Sequence, residues 1–336
     1  MKAAVLTEPG TIEIKRLDRP LPADEVTIAT SAVGICGTDI HAFGGHNPFL
    51  TYPRVMGHEI AGTVAAVGAE VSGVRVGEQV VVNPYASCER CRTCRRGYPN
   101  LCPDLAVLGV HNDGGFAEQA YASPQQLYRL PPGVDLATAA LVEPLSIGAE
   151  AVANGDVQAD DRVVIIGAGP IGLACLAFTV ERGAAALVVD RIPGRLERAQ
   201  ALGAAAVVNT LTDDPDERIK AFTAGQGADV VIEAVGAPET IEAGLRWFGP
   251  AGRYVLLGLY DGTVELPTFT AMRFGLRLTA SRLNRGRFPE CLEYLRTHPH
   301  ITSLVTHRIA LEDLQDTLTL LTRRELEACK VMVELP

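Results

Sequence analysis

Cys88, Cys91, Cys94 and Cys102 constrain this chain more than any other feature. They fall within 15 residues, at spacings of two, two and seven intervening positions. One ion can draw four ligands together only where the connecting loops are this short. Four thiolates at about 2.3 Å saturate tetrahedral zinc, and a saturated site is structural. Arg90, Arg92, Arg95 and Arg96 surround the cluster and offset its negative charge. A disulfide pair and an iron–sulfur cluster are the rival readings. Cys102-Pro103 ends like a ferredoxin run, but such a run closes with about three intervening residues.

Length and charge narrow the class. The chain has 336 residues, of which 47% are apolar, so it is long enough for two domains and unlike a disordered protein. Its formal net charge of −10 argues against nucleic acid or an acidic membrane surface as partner. The start, MKAAVLTEPGTIEIKR, lacks the apolar run of a signal peptide, and no window is apolar enough for a membrane span. With four of the eight cysteines clustered for metal, the whole reads as a soluble cytoplasmic protein.

The hydrophobic period changes along the chain. Residues 1 to about 145 carry short alternating runs such as Val26–Thr30, Ile60–Val67 and Gln79–Val82, which predict a β-rich domain. From about 150, buried strands at Arg162–Ile166, Ala186–Asp190, Ala206–Val208, Asp229–Glu233 and Arg253–Leu257 alternate with helical stretches, including one near 239–247. That rhythm predicts a parallel sheet with helical crossovers. After about 283 the pattern is mainly helical and ends in a strand at Lys330–Glu334. The expected division is therefore 1–147, 148–283 and a segment 284–336 that returns to the first domain.

Gly167-Ala-Gly169-Pro170-Ile171-Gly172 matches G-x-G-x-x-G in its required setting, after a buried strand and before a helix. The glycines permit a tight turn and let a pyrophosphate approach the helix N-terminus. The next strand ends at Asp190, where a carboxylate accepts the ribose hydroxyls and repels a 2′-phosphate. NAD is expected over NADP, although Arg191 and Arg195 could receive a phosphate.

A second metal set is scattered: Cys36, then His58 and Glu59, then Glu143 before Pro144. A thiolate, an imidazole and a carboxylate from separate loops leave a zinc position open for catalysis.

Taken together, these motifs resemble the zinc-containing medium-chain dehydrogenases, the superfamily of alcohol, sorbitol and threonine dehydrogenases, over essentially the whole chain. Glu143-Pro-Leu-Ser-Ile-Gly is similar to the polyol and threonine branch. Gly37–Gly45, Tyr52–Glu59, Gly109–Phe116 and Thr306–Arg308 resemble sugar-acid dehydrogenases of the L-galactonate 5-dehydrogenase kind. The resemblance implies an α/β protein with a GroES-like catalytic domain and a doubly wound Rossmann domain. It further implies two zinc ions per subunit, NAD, and a homotetramer or homodimer. It makes Cys36, His58 and Glu59 ligands of the catalytic zinc, with Glu143 a direct or water-mediated partner and Asp39 behind them. The choice between Glu59 and Glu143 stays open. Leu257, Leu259 and Arg282 join the cofactor residues.

Thr38 could pass the substrate proton through the cofactor ribose to His41, an imidazole able to accept and release it. Arg282, in Ser281-Arg282-Leu283-Asn284, stands where the polyol branch brings an arginine to the substrate, and its fork could grip a carboxylate. Sorbitol-type enzymes commonly follow that arginine with tyrosine, and Leu283 departs from them. Asn284, His111 and Asn112 are further candidates for the pocket. The expected reaction is oxidation of a secondary alcohol of a small-molecule sugar acid or polyol. The alternatives are an L-threonine 3-dehydrogenase and, from another class, a non-catalytic NAD-binding protein.

Overall fold

A computed structural model describes residues 1–336, and the chain divides into two compact units. Unit 1 comprises Met1–Glu143 and Phe288–Pro336; unit 2 comprises Pro144–Arg287.

Unit 1 is built on a seven-stranded sheet. Its main path runs Leu127–Arg129, Gln79–Val82, Glu59–Val67, Val26–Gly34, Lys330–Glu334 and Val305–Ala310, with Gln119–Ala122 also on Val26–Gly34. Val26–Gly34 is buried along nearly its whole length, as the sheet's central strand must be. The core under it joins Val26, Ile28, Val33, Ile60, Phe116, Leu314 and Val331. Lys330–Glu334 pairs antiparallel with the end of that strand, Met332 opposite Gly34, so residues near the C-terminus lie beside Cys36.

Unit 2 is a six-stranded parallel sheet. The order is Ala206–Asn209, Ala185–Asp190, Arg162–Ile166, Ala228–Glu233, Phe248–Leu256 and Arg277–Ala280. Arg162–Ile166 comes first in the chain and has later strands on both sides, so the order reverses above its carboxyl end. That crevice is where doubly wound folds bind ligands. Its strands read as unbroken Val/Ile/Leu runs because both faces are covered.

The structure departs from the expected elements at three places. The region after 283 is mainly helical up to its last strand, as expected, but it also holds the strand Val305–Ala310. It is an edge strand with a mixed, half-exposed pattern, and pairing with Lys330–Glu334 stabilises it rather than a buried face. The helix expected near 239–247 ends at Gly244, where a Cβ would stand 2.7 Å from Ile166 Cδ1 and 2.8 Å from Tyr254 Oη. Arg277–Ala280 is a strand that the alternation left out.

Candidate active site

Register builds the metal site. Gly34 pairs with Glu59 across two antiparallel strands, which sets Cys36, just past one strand end, beside His58, just before the other. The donor atoms of Cys36, His58 and Glu59 all lie within 4.8 Å of one another. Only glycine fits at position 34, since a Cβ would stand 1.8 Å from Glu59 Oε2. Asp39 is buried behind the group. Its Oδ2 accepts from the Cys36 N–H at 2.9 Å and its Oδ1 from the Gly57 N–H at 3.2 Å. His58 Nδ1 stands 3.8 Å from Asp39, too far for a hydrogen bond, and makes none elsewhere.

The electrostatics call for a cation. Burial alone would lower the His58 pKa, but Asp39, Cys36 and Glu143 outweigh it and hold the imidazole well above its ordinary value. Burial raises the carboxyls of Asp39 and Glu143, and neighbouring Glu59 raises both further. Lys330 supplies one positive charge. Its Nζ donates to both oxygens of Glu59, at 2.6 and 2.8 Å, and to Ile35 O at 3.0 Å. Burial opposes that charge, yet Glu59 and Cys36 push its pKa up to about 12. A thiol, a buried imidazole whose Nδ1 has no hydrogen-bond partner and surplus carboxylates fit zinc.

Glu143 sits in the first turn of the helix Val142–Asn154 and is buried, but it does not join the three converging donors. The Tyr85 hydroxyl donates to its Oε1 instead. Cys36 Sγ reaches Thr38 Oγ1 at 3.9 Å, and His41 lies exposed one turn on, on the same helix face. His111 and Asn112 are exposed, with His111 Nδ1 accepting from the Val107 N–H at 3.1 Å.

The cysteine lobe closes as its spacing predicts. Sγ–Sγ distances are 3.4 Å for Cys91–Cys94, 3.5 Å for Cys88–Cys102 and 4.0 Å for Cys91–Cys102. A tetrahedron with 2.3 Å bonds has edges of about 3.8 Å. The Cys94 N–H donates to Cys91 Sγ and helps bring that thiol down to about 7. The residues present fit a second zinc.

In unit 2, Gly172 lets the loop close, because a Cβ there would meet Gly167 O at 1.8 Å. Gly169 has nothing within 4 Å on its Cβ side, and the helix Pro170–Glu181 has no side-chain cap. Open backbone at an uncapped helix N-terminus suits a pyrophosphate. Asp190 Oδ2 accepts from the Ala168 N–H at 2.7 Å, and Oδ1 accepts from the N–H groups of Arg191 and Ile192. The carboxylate is thus fixed beside the glycine loop. Arg195 approaches it at 4.0 Å and Arg191 is exposed. Leu257 donates its N–H to Glu233 O, and Leu259 is 88% exposed beyond it.

Arg282 is exposed, Leu283 holds a left-handed φ of 55°, and Asn284 is buried with no partner for Nδ2. Glu150, fully buried on the helix Val142–Asn154, pins the same segment by accepting from Arg285 Nε at 2.6 Å and Arg287 Nε at 2.9 Å.

Sequence reasoning missed Tyr85, Lys330 and Glu150. One signal was available for Lys330, a charged residue heading the otherwise apolar run Val331-Met-Val333. Nothing local marks the other two.

Comparison with known proteins agrees over the full length. Residues 22–132 match the family described as "Alcohol dehydrogenase GroES-like domain", and residues 170–297 match "Zinc-binding dehydrogenase". An uncharacterized zinc-type alcohol dehydrogenase-like protein of Haemophilus influenzae is 38% identical over 94% of this chain and 93% of its own. The L-galactonate-5-dehydrogenase of Escherichia coli K12 is 35% identical over 94% of each. An alcohol dehydrogenase (rspB) of Escherichia coli CFT073, solved with NADH, superposes with a TM-score of 0.92 at 34% identity. That match covers 100% of this chain and 99% of the other. With this fold, two clustered donor sets and a glycine loop at the strand-order reversal, the chain belongs to the zinc-containing alcohol dehydrogenase family.

Proposed function

We propose that this protein is an NAD-dependent dehydrogenase that oxidises a secondary alcohol of a sugar acid or polyol to a ketone. The observation that carries this reading is the buried convergence of Cys36, His58 and Glu59 with more acidic charge around it than Lys330 offsets. When bound, zinc supplies Lewis-acid polarisation of the alcohol and NAD accepts the hydride. Cys36, His58 and Glu59 would hold the catalytic metal, and Cys88, Cys91, Cys94 and Cys102 a structural one. The first unit then carries the alcohol chemistry and the second the dinucleotide.

The chain's own groups do the rest. Thr38, beside Cys36, would accept the alcohol's proton as it passes its own hydroxyl proton on, through the ribose of the bound cofactor, to His41, which lies exposed on the next turn and returns it to water. Gly167, Gly169, Pro170, Ile171 and Gly172 seat the pyrophosphate, while Leu257 and Leu259 contribute from the loop after the fifth strand. Asp190 accepts the ribose hydroxyls. Its replacement by alanine is expected to lower kcat/KM with NAD by roughly 10- to 150-fold, the loss of a charged acceptor worth about 1.5–3 kcal/mol. NADP should lose less, because the same change removes repulsion of a 2′-phosphate. Parallel kinetics with both cofactors test this. A wild type that prefers NADP would hand Arg191 and Arg195 the role of phosphate ligands.

The substrate's acid group is assigned to Arg282, with Asn284, whose buried Nδ2 lacks a partner, and with His111 and Asn112 as further contacts. The experiment is a comparison of sugar acids, neutral polyols and L-threonine, using wild type and Arg282→Ala. Because Arg282 is exposed, its pairing with a carboxylate is worth about 1.5–3 kcal/mol, roughly 10- to 150-fold in kcat/KM. Arg282→Lys should recover only part, since lysine lacks the planar fork. Equal losses on acidic and neutral substrates would discard the sugar-acid assignment.

Self-association into a dimer or tetramer is supported by the edge strand Arg277–Ala280. It is mostly exposed and carries Leu278 at 46% exposure, and the helix before it, Thr268–Phe274, carries Phe269 and Met272 at 69% and 73%. The eight unbridged cysteines support a reducing compartment such as the cytoplasm.

A further inference from the structure

Tyr85 has no part in the roles above, yet it touches the metal site. It begins the short strand Tyr85–Ala86, paired with Ala106–Val107, just before the cysteine lobe. Its hydroxyl donates to Oε1 of Glu143, 58 residues away in sequence. Glu143 is buried, and its charge acts on His58 while Glu59 acts on it, so this carboxylate borders the converging donors without joining them.

The two glutamates are satisfied differently. Glu59 is neutralised by a buried cation, Lys330, on both oxygens and still keeps its place among the converging donors. Glu143 is buried as well, and the Tyr85 phenol donates to one of its oxygens. A buried carboxylate must find a donor or a cation. With the phenol removed, Oε1 of Glu143 loses that donor, and a divalent ion held by the neighbouring donors is one partner open to it.

We propose that Tyr85 is a positioning residue that holds Glu143 out of the catalytic metal's ligand set, leaving Cys36, His58 and Glu59 as ligands and one place for substrate. The inference rests on the reading that these three residues hold zinc. It makes a prediction of unusual sign. Removing a group that merely supports a ligand loosens a metal by about 10- to 100-fold. Removing Tyr85's hydroxyl should tighten it, because Glu143 gains access as a fourth protein ligand. Turnover should fall, because the place for substrate is filled.

The test uses the intact holoprotein as wild type, Tyr85→Phe, Glu143→Gln and the double variant. Metal content is measured first, then the rate of zinc transfer to a chromophoric chelator and the visible spectrum after cobalt(II) substitution. Two zinc ions per chain are expected in wild type. Tyr85→Phe should release the faster-exchanging ion roughly 10-fold more slowly, change the cobalt spectrum and lower kcat more than KM. Glu143→Gln should match wild type in release rate and spectrum, and the double variant should return to both. Faster release from Tyr85→Phe, an unchanged cobalt spectrum, or metal loss from Glu143→Gln overturns the proposal. The cobalt spectrum of Glu143→Gln keeps the proposal falsifiable even if Tyr85→Phe fails to fold, since replacing a ligand carboxylate by an amide changes that spectrum and replacing a carboxylate outside the ligand set leaves it as in wild type. A wild type with zinc in the cysteine lobe alone removes the underlying metal reading, and this inference with it.

Discussion

Cys36→Ser is expected to leave a folded protein whose turnover falls by more than about 1,000-fold, since a catalytic metal supplies several kcal/mol of transition-state stabilisation. Cys36 sits between a central strand and a seven-residue helix, and its backbone N–H is held by Asp39 whether or not the sulfur is present. Serine keeps that backbone and removes only the soft ligand. The contrasting change is Cys91→Ser. Cys91 caps the four-residue helix Arg92–Arg95, none of whose residues is buried, and its lobe has little apolar core beyond the cysteines themselves. Metal binding there is folding energy. Cys91→Ser should therefore lower the melting temperature and release one zinc, while any protein that stays folded keeps its Cys36 site. Metal analysis, melting curves and initial rates on both variants distinguish the two sites. Normal melting and full zinc in Cys91→Ser would show that the cluster does not hold the fold.

Glu150→Ala should destabilise the protein by about 3 kcal/mol, the low end for breaking a buried ion pair. The carboxylate is fully buried and takes the guanidinium groups of Arg285 and Arg287 at 2.6 and 2.9 Å. Those arginines keep 32% and 25% of their side-chain exposure, so water meets part of their charge when the partner is removed, which holds the cost down. For a domain of this size the fall in melting temperature is roughly 6–12 °C. Glu150 also accepts the Arg285 N–H, and Asn154 on the same helix holds Ser281. Both ends of the segment bearing Arg282 and Asn284 are thus fixed, and substrate KM should rise along with the loss of stability. Calorimetry and steady-state kinetics on one preparation test both. A melting shift under about 2 °C, which is under 1 kcal/mol, would mean that the arginines find equivalent partners elsewhere.

The dividing line between legible and hidden features is sequence distance. The cysteine lobe was legible because its ligands span 15 residues, and so was the glycine loop, where Gly167 and Gly172 touch within one turn. The parallel sheet was legible because strands buried on both faces must be apolar without interruption. Asp190 was legible because the strand that carries it ends where such a strand must. Cys36, His58 and Glu59 could be named as candidates from residue type. What brings them together is the antiparallel register of Gly34 on Glu59, which no local pattern encodes.

The hidden features depend on distant partners. Lys330 reaches Glu59 across 271 residues, and Tyr85 reaches Glu143 across 58. A lysine heading an apolar strand and a tyrosine before a cysteine lobe are ordinary in isolation, and become part of the site only through the fold. The edge strand Val305–Ala310 was hidden for the same reason, since its neighbour holds it in place and its own half-exposed pattern does not. The sequence by itself determined the fold class and marked the cysteine lobe and the glycine loop, because each is written in short-range spacing and period. Only the tertiary structure decided which carboxylate carries a counter-cation and which a phenol, because burial makes each of them take a donor from whatever strand the sheet sets alongside.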